Sequence, residues 1–117
     1  MAAILIIDDS SFQRKRIVEI ISAAGHTAIQ APNAEEGLEL LAQENPDLII
    51  CDLLMPGMGG MELLQRLQKT KSKIPVLILT ADIQSSVRDQ CLELGAREFL
   101  NKPTNPETML EAINNNL

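Results

Sequence analysis

Tryptophan and tyrosine are absent, and the only phenyl rings in the chain belong to Phe12 and Phe99. So few aromatics give no platform on which bases could stack. Basic residues are also scarce: ten lysines and arginines face sixteen aspartates and glutamates, a formal net charge of −6. Such a surface repels a phosphate backbone, so no direct nucleic-acid binding is expected. Arg14, Lys15 and Arg16 form the one tight basic run, and Lys69, Lys71 and Lys73 alternate further on; both read as solvated surface.

No apolar run approaches the ~20 residues needed to cross a bilayer, so membrane insertion is not expected. The first residues, Met1 to Asp9, lack a basic segment, and their short apolar run ends in two acids, which is not the pattern of a signal peptide. A cytoplasmic location is the expectation. Cys51 and Cys91 lie inside apolar patterns, at neither metal-ligand nor disulfide-framework spacing, and read as reduced, buried thiols. The lone His26 reads as a surface residue and not as a phosphodonor.

What is present is a chain of 117 residues, 45% hydrophobic, sized for one domain over residues 1–117 with its own core. Its organising stretch is Leu48-Ile49-Ile50-Cys51-Asp52-Leu53-Leu54-Met55-Pro56-Gly57. An unbroken apolar run bounded by turn residues reads as a strand buried on both faces. A carboxylate at the carboxyl end of such a strand is costly unless its charge is used there. In open parallel sheets, that end is where ligands bind.

Similar runs occur at Ile4–Ile7 and Val76–Leu79, while Thr27–Ala31 reads as a weaker strand and Glu98–Leu100 as a short one. Between and after them lie helical spacings. Ile17, Ile20, Ile21 and Ala24 precede a stop at Gly25. Ala34, Gly37, Leu38 and Leu41 follow an Asn33 cap, with Glu36 placed as in a capping box. Met61, Leu64 and Leu67 form a third stripe. Ile83, Val87, Cys91 and Leu94 form a fourth, stopped at Gly95. Met109, Leu110, Ile113 and Leu117 form the last, opened by Asn105 and Pro106. Five strands alternating with five helices predict an α/β fold: a doubly wound parallel sheet with helices on both faces and right-handed crossovers.

In that arrangement one edge of the sheet collects the polar strand ends: Asp8 and Asp9, Asp52, Thr80 and Lys102. Three crowded carboxylates repel one another, and a hard Mg²⁺ ion, which takes oxygen ligands, relieves the repulsion. Lys102 supplies a cation and Thr80 a hydroxyl donor, both suited to phosphoryl oxygens, whose transfer depends mainly on positioning and charge stabilisation. The reading is a carboxylate, Asp52, that accepts a phosphoryl group with Mg²⁺ assistance. Each residue alone has a plainer explanation as cap or surface; the joint occurrence is what is specific.

The set Asp8-Asp9-Ser10, Asp52 with Met55-Pro56-Gly57, Thr80-Ala81 and Lys102-Pro103 resembles the receiver domain of two-component response regulators across essentially the whole chain. In length it is nearest the stand-alone, chemotaxis-type (CheY-like) receivers. The resemblance implies a flavodoxin-like strand order 2-1-3-4-5 and Asp52 as phosphoacceptor. It also implies Mg²⁺ held directly by Asp9, Asp52 and the Leu54 carbonyl, with Asp8 acting through water. Thr80 and Lys102 would bind the phosphoryl oxygens, and Phe99 would be the switch aromatic drawn in with Thr80. The Lys102-Pro103 bond would be cis. The implied donor is a histidine kinase or phosphotransfer protein. The responding face would comprise the fourth helix, fifth strand and fifth helix. Leu54 and Asp82 occupy positions that tune phosphoryl lifetime in the family, and Asn101 and Thr104 are more polar than its usual residues there.

Two rivals share the topology. A phosphohydrolase with an aspartate nucleophile needs a second acid two residues on, where this chain has Leu54. A flavin carrier needs a neutral phosphate cradle after its first strand, where Asp8 and Asp9 would repel phosphate. The chain ends with its last helix, so it reads either as a single-domain regulator or as the amino-terminal module of a transcription factor or enzyme. In neither case is it expected to act as an enzyme on anything but its own phosphorylation state.

Overall fold

The computed structural model describes residues 2–81 and 84–117. Ile83, assigned above to the fourth helical stripe, and Asp82 lie outside the described residues, as does Met1. The strands are β1 (Ala3–Ile7), β2 (Thr27–Ala31), β3 (Leu48–Cys51), β4 (Val76–Thr80) and β5 (Glu98–Asn101). The described helices are α1 (Ser11–Ala23), α2 (Ala34–Glu44), α3 (Gly60–Lys69), α4 (Ser85–Glu93) and α5 (Pro106–Asn115). All strand pairs are parallel, in the order β2-β1-β3-β4-β5. This is the doubly wound, flavodoxin-like order, with β1 and β3 adjacent at the point where the winding reverses.

Strand alternation divides the core in two. Leu5, Ile7, Ile49, Cys51, Val76 and Ile78 point to one face, where α2, α3 and α4 cover them. Ile4, Ile6, Leu48, Ile50, Leu77 and Leu79 point to the other, against Ile17 and Ile21 of α1 and Met109, Ala112 and Ile113 of α5. The three central strands are apolar up to Thr80, the last residue of β4, because both faces are covered. β2 and β5, at the edges, are only partly buried.

Helix starts follow the expected chemistry. The side chains of Ser10, Asn33 and Asn105 accept from the backbone N–H groups of Gln13, Glu36 and Thr108 at 3.2, 2.8 and 2.7 Å. These bonds satisfy donors that a helix leaves unpaired. Gly25 and Gly95 end α1 and α4 at φ of +90° and +102°, a region costly for any residue with a β-carbon.

Some expectations from periodicity alone differ from the structure. Leu117 was placed on the inner face of the last helix but lies beyond its end and is 55% exposed. Ala24 caps α1 and is exposed, because the helix has ended there. Leu63, absent from the stripe read for α3, is fully buried, since the apolar face of that helix is wider than a single stripe. No described helix is long and apolar enough to cross a membrane.

Candidate functional site

The sheet's hydrogen bonding runs one residue past the strand ends and carries two aspartates with it. Asp8 N donates to the Ala31 carbonyl at 3.2 Å, and Asp52 N donates to the Ile7 carbonyl at 2.9 Å. On the fifth strand, Lys102 N donates to the Thr80 carbonyl at 2.8 Å. Asp8, Asp52 and Lys102 each stand two residues beyond an apolar residue of the α1/α5 face, namely Ile6, Ile50 and Leu100. With a strand period of two, all three side chains emerge on the same side of the sheet.

There they meet. Lys102 Nζ lies 2.8 Å from Asp8 Oδ2 and 3.1 Å from Asp52 Oδ2. Asp8 and Asp52 are buried, and the Lys102 side chain is largely so. Burial pulls the Lys102 ammonium down, but its hydrogen bonds to Asp8 and Asp52 outweigh that and hold it above the ordinary lysine range. The remaining carboxylate oxygens are used as well: Asp8 Oδ1 accepts from Ser10 N at 2.9 Å, and Asp52 Oδ1 from Leu54 N at 3.3 Å.

Asp9 is exposed, yet one oxygen from each of Asp8, Asp9 and Asp52 lies within 4.8 Å of the others. Three carboxylates so close form a hard, oxygen-only donor set, which fits Mg²⁺. One expectation needs correction. The three acids do not repel one another unrelieved, because Lys102 already compensates two of them.

Thr80 ends β4 fully buried, on the same face as Ile78. Phe99 is registered opposite Ile78 and packs half-buried against the cluster on that face, to which Cys91 and Val87 of α4 also belong. Thr80 and Phe99 are thus diagonal neighbours across the β4/β5 pair, and the Lys102-Pro103 peptide is cis. Leu54 is 61% exposed and sets no acid beside Asp52. Gly60 N bonds back to the Leu53 carbonyl at 3.0 Å, which folds the start of α3 onto the residues after Asp52.

Two site-supporting residues were read as solvated surface. Arg14 Nη1 donates to the Asp8 carbonyl at 2.6 Å, and Arg16 Nη2 to the Thr104 carbonyl at 2.6 Å. Only the helical position of a basic residue beside the site could have hinted at this. His26 is likewise engaged, its Nδ1 accepting from Ala2 N at 3.2 Å.

Residues 4–114 match a known family, the one described as the response regulator receiver domain. The chain belongs to that family. The receiver is 37% identical over 116 residues to protein PilH of Pseudomonas aeruginosa, covering 97% of this chain and 96% of that protein. It is 39% identical over 110 residues to a protein-glutamate methylesterase/protein-glutamine glutaminase of Treponema pallidum, spanning 91% of this chain but only 27% of that enzyme. Among solved structures, the chemotaxis protein CheY4 of Vibrio cholerae superposes with a TM-score of 0.92 at 32% identity, covering 100% of this chain and 99% of that one. The receiver is therefore a CheY-like module of two-component signalling.

Proposed function

We propose that the receiver stores a signal as a phosphoryl group on Asp52, with residues 1–117 acting as one phosphoacceptor unit. The observation that carries this reading is the Lys102 ammonium shared between Asp8 and Asp52 inside a cluster of three carboxylates. An Asp52 oxygen bonds to phosphorus as the P–N bond to a donor histidine, or the P–O bond of a small acyl phosphate, breaks. The leaving group departs with the electron pair. Asp52 thereby becomes an acyl phosphate.

Asp8, Asp9, Asp52 and the Leu54 carbonyl are the groups that would hold Mg²⁺, which, when bound, neutralises charge on the phosphoryl oxygens. Lys102 already stands at Asp52 and is placed to follow the new charge as Asp52 loses its own. Thr80 offers a hydroxyl to the same oxygens. Its approach would open room on the face it shares with Phe99, so that α4, β5 and α5 form the surface that reports phosphorylation.

A histidine kinase or phosphotransfer protein in the cytoplasm supplies the group, and a protein partner reads the switched face. Neither nucleic acid nor membrane is contacted, and no external substrate is turned over. The test is to incubate the protein with acetyl phosphate and Mg²⁺ and follow the intact mass. One phosphoryl group, labile to hydroxylamine, should be added to the parent and not to Asp52→Asn, whose amide is no nucleophile. Equal modification of that variant would place the acceptor elsewhere.

A further inference from the structure

The loop between β5 and α5 carries Lys102; the Lys102 side chain and the buried Thr104 anchor it, but its main chain is tied at few points. Lys102 N is fixed by the Thr80 carbonyl, and Asn105 caps α5. Between them Pro103 has no N–H to donate, and Pro103 is exposed. The Thr104 carbonyl is held from outside the loop, by Arg16 Nη2 at 2.6 Å across 88 residues of sequence. Arg16 is well placed to hold it, because the next residue, Ile17, and Ile21 are buried and fix α1 against the sheet. A charged donor makes this a stronger bond than a neutral one. Among the described residues Arg16 has no carboxylate within 4.0 Å, so its guanidinium is not diverted into an ion pair.

The same helix also grips the opposite wall of the site, since Arg14 Nη1 holds the Asp8 carbonyl. A cleft of about 500 Å³ is lined by both Arg16 and Lys102, together with Phe12, Gln13, Ala81 and Pro103.

We propose that Arg16 is a positioning residue for phosphoryl transfer: by tying Thr104 to α1 it fixes the Lys102 loop, so that the ammonium stays between Asp8 and Asp52. This rests on the phosphoacceptor reading above. Lys102 ends a flexible stem of four methylenes, so its position is set by its backbone as much as by its partners. Small misplacements of a charge-stabilising group are costly to such chemistry.

The experiment is a double-mutant cycle on the rate of Mg²⁺-dependent phosphorylation by acetyl phosphate, read by intact mass against time. Arg16→Met keeps the packing of the stem and removes the donor; the rate should fall on the order of tenfold. Arg16→Gln, two bonds too short to reach Thr104, should match it and serves if the first variant folds poorly. In a Lys102→Met background the same change should cost nothing further, because Arg16 acts through Lys102.

Amide hydrogen exchange gives a readout independent of phosphorylation: the Lys102 N–H should exchange faster in Arg16→Met, while the β1 amides keep the parent's rates. A parent that takes up no phosphoryl group overturns the phosphoacceptor reading and this proposal together. With an active parent, three results each overturn the tether alone: an unchanged rate, an equal loss in the Lys102→Met background, or unchanged exchange at Lys102.

Discussion

A β-carbon added to Gly60 would lie 2.8 Å from the backbone carbonyl oxygen of Asp52 and 3.0 Å from Leu53 Cα. Both are main-chain atoms, so neither can swing aside as a side-chain terminus would. Glycine is needed there because the first residue of α3 rests directly on the peptide that presents Asp52, the proposed phosphoacceptor.

Gly60→Ala is therefore expected to destabilise the fold by about 1–3 kcal/mol despite alanine's better helix propensity, the usual cost of overpacking. Its phosphorylation rate should fall too, since the Asp52 peptide must move. Urea unfolding and the acetyl phosphate assay measure the two effects; a stabilised Gly60→Ala at full rate would mean that the contact relaxes freely.

Lys102 and Asp9 should respond in opposite ways to metal. Removing the ammonium in Lys102→Met leaves Asp8 and Asp52 buried and uncompensated, at a cost of about 1–3 kcal/mol in chelator once partial exposure is allowed for. Mg²⁺ should then stabilise this variant more than the parent, the gain following RT ln(1 + [Mg²⁺]/Kd). Asp9→Asn removes the acid that Lys102 does not touch, so it should lose no stability in chelator and gain little from Mg²⁺. Thermal unfolding of all three proteins with and without metal tests both halves. Equal Mg²⁺ shifts throughout would put the ion elsewhere.

The parallel sheet and the polar residues that end its strands were legible in the sequence, because buried central strands leave unbroken apolar runs and their polar ends stand out sharply. The strand order came from the resemblance to receivers and is the one observed. What was not legible were contacts made by long side chains between distant elements. Lys102 was assigned to phosphoryl oxygens alone, yet it bridges Asp8 as well as Asp52. Arg14 and Arg16 passed for solvent-facing charge, since nothing in a local pattern tells a guanidinium in water from one bonded to a carbonyl far along the chain. Leu117 looked like core because helical spacing continues in a sequence after the helix has stopped.

Cys51 predicts a dependence on pH. Burial, then the charge of Asp52, raises its thiol far above the ordinary range, and its Sγ–H donates to the Asp52 carbonyl at 3.1 Å. The native thiol keeps its proton where the unfolded chain's thiol, titrating near an ordinary value of about 8.5, gives it up. The stabilisation is intact below that value and is lost as pH rises above it, by ~1.4 kcal/mol per pH unit for one thiol. The chain has no tyrosine to confuse this window, and the raised Lys102 loses its own contribution only above the ordinary lysine range. Urea midpoints between about pH 8 and 10, under reducing conditions, should fall less steeply for Cys51→Ala than for the parent. Parallel slopes would assign the effect to other groups.

Thr80 and Phe99 carry the last prediction. Thr80→Ala should still accept phosphate but leave the amide resonances of α4 and β5 where they are in the unmodified protein. Thr80→Ser, which keeps the hydroxyl, should retain most of the shift. Heteronuclear NMR before and after phosphorylation gives the comparison. Shifts in α4 of Thr80→Ala as large as the parent's would remove the hydroxyl from the coupling.

The Lys102 bridge spans 94 residues to Asp8 and 50 to Asp52, and the Arg16 bond spans 88. A chain made from its amino terminus completes Asp8, Asp9, Asp52 and Thr80 while Lys102 is still unmade. Until Glu98–Asn101 docks on Val76–Thr80, nothing holds an ammonium between the two buried acids. These are contacts of high sequence separation, the kind a folding chain closes late. On the proposed mechanism, an unfinished or half-folded copy presents carboxylates without their cation, and it cannot compete with mature copies for a phosphodonor.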